Sequence, residues 1–68
     1  MELNTTLFQK YYELGCLLMS CKNYSQSYEN FQQAELLVEN KLTLSKQEQK
    51  LYNFNIQYNK SLALLKNN

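Results

Sequence analysis

The chain lacks histidine, arginine, aspartate, tryptophan and proline, and it has one glycine and two cysteines in 68 residues. Without histidine, neither a Ser-His nor a Cys-His catalytic pair can form. Two cysteines alone cannot build a tetrahedral structural metal site, and a single glycine excludes the glycine-rich loops that bind phosphates. The composition therefore predicts no catalytic residue, no metal site and no cofactor, and we expect that this protein is not an enzyme.

Charge and hydropathy predict neither a nucleic-acid nor a membrane partner. Seven lysines and six glutamates give a net charge of +1, which supplies no electrostatic attraction to phosphates. The longest apolar run, residues 16–19, is far shorter than the ~20 residues that span a bilayer, and the N-terminus lacks the layout of a signal peptide. We therefore expect a cytoplasmic protein with reduced thiols. Cys16 and Cys21 lie too far around one helix to form a disulfide, and we expect buried free thiols.

The pattern of apolar residues predicts a first helix over residues 6–21. Thr6 and Gln9 have the spacing of a capping box at its start. Apolar residues then recur at helical spacing: Leu7, Phe8, Tyr11, Tyr12, Leu14, Leu18 and Met19. Because they occupy more than one side of the helix, we expect it to have neighbours on two sides.

Two further helices are predicted over residues 24–39 and 46–66. Asn23 and Gln26 resemble an N-cap pair, and Ser45 and Glu48 form a clear capping box. The third helix has one stripe at helical spacing: Leu51, Phe54, Tyr58, Leu62 and Leu65. Residues 39–44 are expected to form a loop, and no segment alternates as a strand would. The prediction is one all-α domain, 1–68, with an antiparallel helix hairpin plus a third C-terminal helix.

The first two helices contain an internal pattern that resembles the tetratricopeptide repeat. Four residues match the family pattern directly: Leu14, Gly15, Phe31 and Ala34. Tyr11, Leu18 and Ser27 replace the usual Trp, Tyr and Ala. Tyr24 follows Lys22 and Asn23 where the family has a Gly-Asp-Tyr turn. The resemblance implies that Gly15, Ser27 and Ala34 allow close helix contact, and that Tyr11, Leu14, Leu18, Tyr24 and Phe31 fill the space around it.

The spacing of the first helix recurs in the third helix, at residues 51–58. This second repeat has no second helix to pair with. From Leu14 to Phe54 the interval is forty residues, against 34 in the family, which implies a longer loop between the repeats. One and a half repeats fall short of the three or more that a solenoid usually needs. Either the three helices form a compact bundle, or another chain supplies the missing surface. The abundance of large apolar residues favours the second alternative.

In the tetratricopeptide family, ligand peptides often lie on the concave face made by the first helix of each pair. By the resemblance, this concave face would carry Gln9, Tyr12, Cys16, Met19, Gln49, Tyr52, Ile56, Asn59 and Lys60. The family's Lys and Asn clamp for a C-terminal carboxylate is absent, because Tyr12 and Cys16 occupy those positions. The face could bind a peptide or a helix of a partner. The alternative is that its aromatic side chains pack on each other or on a neighbouring subunit.

The expected function is therefore protein–protein interaction, as a small adaptor or an accessory subunit of a larger assembly. The chain would present an apolar helix face to a protein or peptide partner, or to another copy of itself. An alternative is a truncated peptide-binding or dimerising part that resembles the repeat region of peptide-sensing transcription regulators in Gram-positive bacteria. The sequence does not name the partner.

Overall fold

The computed structural model describes the backbone of residues 2–40 and 45–67, and the side chains of residues 6–39 and 45–67. These residues form α1 (Glu2–Ser20), α2 (Tyr24–Asn40) and α3 (Lys46–Asn67), and none of them lies in a strand. The all-α fold with a helix hairpin and a third helix is confirmed. Residues 39–40, expected in the loop, belong to α2; residues 41–44 lie outside the described residues. The helix α1 starts four residues before the predicted position, so Thr6 lies inside it and is not an N-cap.

A tight turn of three residues joins α1 to α2. The amide of Asn23 donates to the carbonyl of Leu18 at 2.8 Å, and the amide of Lys22 donates to the carbonyl of Met19 at 3.0 Å. These two bonds form a Schellman motif, which satisfies carbonyls that the end of a helix leaves free. Lys22 has a φ of 64°, in the left-handed region where glycine is usual. This agrees with its place in the repeat pattern, where the family has glycine.

Asn23 and Ser45 occupy the predicted N-cap positions of α2 and α3, but the reciprocal capping box forms only at Ser45. The carbonyl of Asn23 accepts the first helical bond of α2, from the amide of Ser27 at 3.0 Å, and its side-chain amide donates to Gln26 at 3.0 Å. At α3, the backbone amide of Ser45 donates to Glu48 Oε1 at 3.1 Å, and the amide of Glu48 donates to Ser45 Oγ at 3.2 Å. The second pair is the reciprocal capping box that the sequence predicts.

The helices α1 and α2 approach closely at Gly15. A Cβ at this position would lie 2.8 Å from Cε1 of Phe31, closer than two carbon atoms can pack. The hydroxyl of Ser27 is completely buried and donates to the carbonyl of Gly15 at 2.7 Å. Ala34, also buried, keeps α2 narrow farther along the same face. The small residues therefore act as the resemblance implies, by bringing the two helices together around the Phe31 ring.

The core lies along α2, which packs against both α1 and α3. Its buried apolar cluster is formed by Phe8, Phe31, Ala34, Val38 and Ile56, with Tyr11, Tyr12, Met19, Leu37 and Tyr52 half-buried against it. Leu14 departs from the expectation, because its side chain is 44% exposed and does not fill the space around the close contact. Leu18 and Tyr24 are half-buried. The close contact is filled mainly by Phe31.

Candidate functional site

Aromatic rings from all three helices meet where the concave face was predicted. Phe8 stacks on Tyr12 with ring centroids 5.9 Å apart, and it meets the ring of Tyr52 edge-on at 5.1 Å. Tyr12 in turn meets Phe31 edge-on at 5.6 Å. Edge-to-face pairs at these distances stabilise a core beyond the area they bury. Tyr12 and Tyr52 therefore pack on the chain's own core, as the alternative reading of the sequence expected.

A polar contact joins α1 to α3 beside these rings. The side-chain amide of Asn59 donates to the hydroxyl of Tyr12 at 3.2 Å and to the carbonyl of Asn55 at 2.9 Å. Burial raises the pKa of Tyr12, the nearby Cys16 raises it further, and the hydrogen bond from Asn59 lowers it in part. The phenol is therefore neutral at neutral pH, and the contact joins two uncharged groups.

Three more residues predicted for the concave face hold α3 against α2 instead. Ile56 is completely buried in the core. Gln49 donates from Nε2 to the carbonyl of Val38 at 3.3 Å, near the end of α2. The ammonium group of Lys60 lies 2.7 Å from a carboxylate oxygen of Glu35 and 5.3 Å from the ring centre of Tyr28. All three point towards α2, because α3 packs along that helix.

The remaining predicted residues lie at the rim of this face. Gln9 and Cys16 are exposed and Met19 is half-buried. The expectation of buried thiols is wrong, since both Cys16 and Cys21 are free and exposed. Cys16 lies outside the buried cluster that α1 contributes to, and Cys21 lies in the turn that follows α1. Partial burial and the charge of Glu13 raise the pKa of the Cys16 thiol, which disfavours the reactive thiolate.

Five large apolar side chains of α3 are more than half exposed, and one of them, Leu64 at 52%, lies on a different side of the helix. The other four form what we call the outer stripe: Leu51 at 59%, Phe54 at 71%, Tyr58 at 62% and Leu65 at 72%. They follow one another at three, four and seven residues, so they lie along one side of the helix. Single exposed apolar residues are common, but four in a row along one side of a helix form a continuous apolar surface of the kind that often marks an interaction site.

The outer stripe lies opposite the side of α3 that enters the core. Ile56 and Ala63 are the buried residues of α3, and Phe54 is two positions from Ile56, about 200° around the helix. The sequence pattern identified the stripe, but it did not reveal that the stripe faces outwards. The side of α3 that packs inwards carries small and polar residues among its apolar ones. The helical spacing of apolar residues is therefore less regular on that side.

The opposite edge of the molecule has a smaller apolar surface. Leu7, Leu14 and Leu17 of α1 are exposed, with Leu17 the most exposed of them. Leu36 on α2 is also exposed, and it provides an apolar residue away from α3 for comparison. The stripe on α3 is longer than this edge and contains two aromatic rings.

The described residues include one small cleft and no group of metal-ligating side chains. One shallow cleft of about 190 Å³ is lined by Tyr24, Ser25, Tyr28, Glu29, Ala63, Leu64 and Asn67, below the ~300 Å³ at which ligand pockets usually begin. Within residues 2–40 and 45–67, no three acidic, cysteine or histidine side chains are grouped as a metal site needs. No helix in the described part of the chain combines the length and hydropathy needed to cross a bilayer.

No family model, curated protein or solved structure matches the chain.

Proposed function

We propose that this chain is a tetratricopeptide-like interaction module that presents the outer stripe of α3 to another protein. It would serve as a small adaptor or an accessory subunit of a larger assembly. The observation that carries the proposal is the stripe itself, with four large apolar side chains more than half exposed along one side of a helix.

The energy of covering the stripe supports this role. Phe and Tyr side chains carry roughly 150–250 Å² of surface each, and Phe54 and Tyr58 leave well over half of theirs in water. Burying what these two rings expose is worth on the order of 5 kcal/mol before the costs of association. Leu51 and Leu65 add to this on either side. A partner helix laid along α3 is the simplest way to cover a straight stripe.

The repeat-like features support the choice of a helix as the partner. Gly15, Ser27 and Phe31 make the close hairpin contact that the resemblance implies. In a tetratricopeptide array a helix in the position of α3 is followed by a second helix, which packs along it. We propose that a helix of the partner takes this place. The free thiols of Cys16 and Cys21 are compatible with a cytoplasmic location.

Binding at the predicted concave face is less well supported. Its aromatic side chains already contact one another, and Asn59 and Tyr12 close the space between α1 and α3. A peptide would have to separate them. The outer stripe needs no rearrangement, because no side chain of the described core covers it.

The experiment compares stripe variants with a matched control in the chain's own cell. Phe54→Gln and Tyr58→Gln remove apolar surface from the stripe, while Leu36→Gln makes the same kind of change on the exposed side of α2. We expect a protein, either another polypeptide or a second, untagged copy of this chain, that co-purifies with the wild-type chain and with the Leu36 variant, and that both stripe variants lose. That protein, purified separately, should then bind the wild-type chain at least tenfold more tightly than the stripe variants. Equal recovery and equal affinity for all four chains would contradict the proposal.

A further inference from the structure

We propose that the partner at the outer stripe is a second copy of this chain, in a two-fold dimer in which two α3 helices pack antiparallel. This inference rests on the proposed function, because it names the protein that covers the stripe. It is carried by the symmetry of the stripe and by the charges at its two ends.

The outer stripe and the neighbouring Leu62 together are spaced symmetrically about Tyr58. Phe54 and Leu51 lie four and seven positions before it, and Leu62 and Leu65 lie four and seven positions after it. Leu62 is half-buried at the edge of the stripe. In a two-fold antiparallel pair, a residue n positions before the centre faces the residue n positions after the centre of the other copy. The two Tyr58 rings would meet at the axis, with an apolar residue opposite an apolar residue at every step.

The charges beside the stripe fit the same arrangement. Glu48 and Lys66 are both exposed, and they are 18 residues apart, which is about five full turns of an α-helix. They therefore lie on the same side of α3, one at each end. A two-fold axis through Tyr58 places this side of both α3 helices on the same flank of the dimer. Glu48 of one copy therefore comes near Lys66 of the other. Ten and eight residues separate the two charges from Tyr58, an offset of about 3 Å along the helix, which long side chains can span.

A head-to-tail arrangement fits the surfaces less well. If the stripe of one copy covered Leu7, Leu14 and Leu17 of another, each added copy would leave a further stripe exposed, and the assembly would not close. It would also place two aromatic rings against a shorter row of leucines. The two-fold pair covers both stripes at once and leaves none. An interface formed by one helix from each copy is small, so we expect dissociation constants on the order of micromolar.

Disulfide formation between engineered cysteines tests the arrangement directly. In a chain that carries Cys16→Ser and Cys21→Ser, single cysteines are introduced by Tyr58→Cys, Leu51→Cys, Leu65→Cys or, as a control on the exposed side of α2, Gln32→Cys. Under mild oxidation we expect Tyr58→Cys to form disulfide-linked dimers. Leu51→Cys and Leu65→Cys should form few dimers alone, but they should cross-link to each other when mixed. Gln32→Cys should remain monomeric.

Other cross-linking patterns would overturn the inference. Self-linking of Leu51→Cys together with Leu65→Cys would show a parallel pair, and absence of a Tyr58→Cys dimer would remove the two-fold axis from that position. A control that cross-links as fast as Tyr58→Cys would show random collision only.

Sedimentation of the purified, unmodified chain gives a second and independent measurement. We expect a monomer–dimer equilibrium, with Phe54→Gln raising the dissociation constant at least tenfold and Leu36→Gln changing it less than twofold. Circular dichroism should show equal helix content in all three, because both substituted side chains are exposed. A wild-type chain that stays monomeric at hundreds of micromolar would overturn the dimer. If a different protein is still lost from the stripe variants in cells, the proposed function would stand without it.

Discussion

At the scale of single residues, the hairpin depends on one position that has no side chain. The carbonyl of Gly15 accepts the buried hydroxyl of Ser27, and the face of Gly15 lies against the ring of Phe31. The ring is completely buried, so a displaced ring would have to disturb the core residues that surround it. The pattern of Gly15, Ser27 and Ala34 predicted a close approach of α1 and α2, because small side chains at this spacing let two helices come near each other.

Gly15→Ala tests this close contact. Its Cβ would lie 2.8 Å from the Phe31 ring, and such overpacking typically costs about 1–3 kcal/mol. Alanine regains about 1 kcal/mol of helix propensity, so we expect the free energy of unfolding to fall by about 1 kcal/mol. The control is Cys16→Ala, at the next and exposed position, which should change stability by less than ~0.5 kcal/mol. Urea unfolding at one protein concentration gives both values, and a Gly15→Ala chain more stable than the control variant would contradict the contact.

A substitution at Lys22 is expected to raise the free energy of unfolding, whereas Gly15→Ala lowers it. Its φ of 64° costs a residue with a Cβ about 1–2 kcal/mol, and glycine removes that strain while it adds about 0.4–1 kcal/mol of unfolded-state entropy. We therefore expect Lys22→Gly to raise the free energy of unfolding by about 0.5 kcal/mol. Lys22→Ala should give no increase, since alanine keeps the strain. If both variants gain equally, the lysine charge and not the backbone would be responsible.

At the scale of helices, the caps were the most predictable features. The bonds between Ser45 and Glu48 form at the predicted start of α3. A capping box lies within a segment of four residues and satisfies two free backbone amides there, so it does not depend on the rest of the fold. The same spacing at Thr6 and Gln9 predicted a capping box at the start of α1, and that prediction was wrong. In the structure α1 continues through both residues, so spacing alone does not establish a cap.

Paired alanine substitutions separate the true cap from the apparent one. Ser45→Ala should lower the free energy of unfolding by about 1 kcal/mol and increase hydrogen exchange in the first turn of α3. Thr6→Ala should have no such cost, since Thr6 is an exposed residue inside α1 and alanine has the higher helix propensity. Equal effects of the two substitutions would contradict the assignment of the helix starts.

The direction in which each helix packs could not be read from the sequence. Both terminal helices have two apolar sides, and in each the more regular row of leucines faces out: Leu7 and Leu14 on α1, and Leu51 and Leu65 on α3. Periodicity identifies a side of a helix, but it does not say which neighbour covers it. Phe8 and Ile56 both enter the core. The sequence placed Phe8 beside the main apolar row of the first helix, and it placed Ile56 on the predicted concave face.

At the scale of the whole molecule, the position of α2 explains both the core and the exposed surface. It is covered on one side by α1 and on another by α3, and its residues Phe31, Ala34 and Val38 are completely buried. Each outer helix has only α2 as its main neighbour, so its second apolar side remains uncovered. An excess of apolar surface was therefore predictable from the number of large apolar residues, while its location on α3 required knowledge of the packing.

Long-range contacts account for the predicted site residues that the structure placed elsewhere. Lys60 and Gln57 both donate to Glu35 of α2, and no local pattern connects residues more than twenty positions apart. Likewise, Gln49 is engaged by a carbonyl of α2. The resemblance to a repeat predicted Gln49 and Lys60 on a concave face, whereas in the structure both side chains contact α2 and hold α3 against it.

The most direct test of an interface on α3 measures whether the outer stripe is covered in the cell, at position 51, where both aromatic rings of the stripe are kept. Leu51→Cys and, separately, Gln32→Cys are introduced into the chain that lacks Cys16 and Cys21, and each is labelled in its own cell with a membrane-permeant maleimide before and after unfolding. We predict that position 51 labels at least tenfold more slowly in the native state than after unfolding, while position 32 labels at similar rates in both. Rapid native labelling of both positions would contradict the proposal that another protein covers the outer stripe.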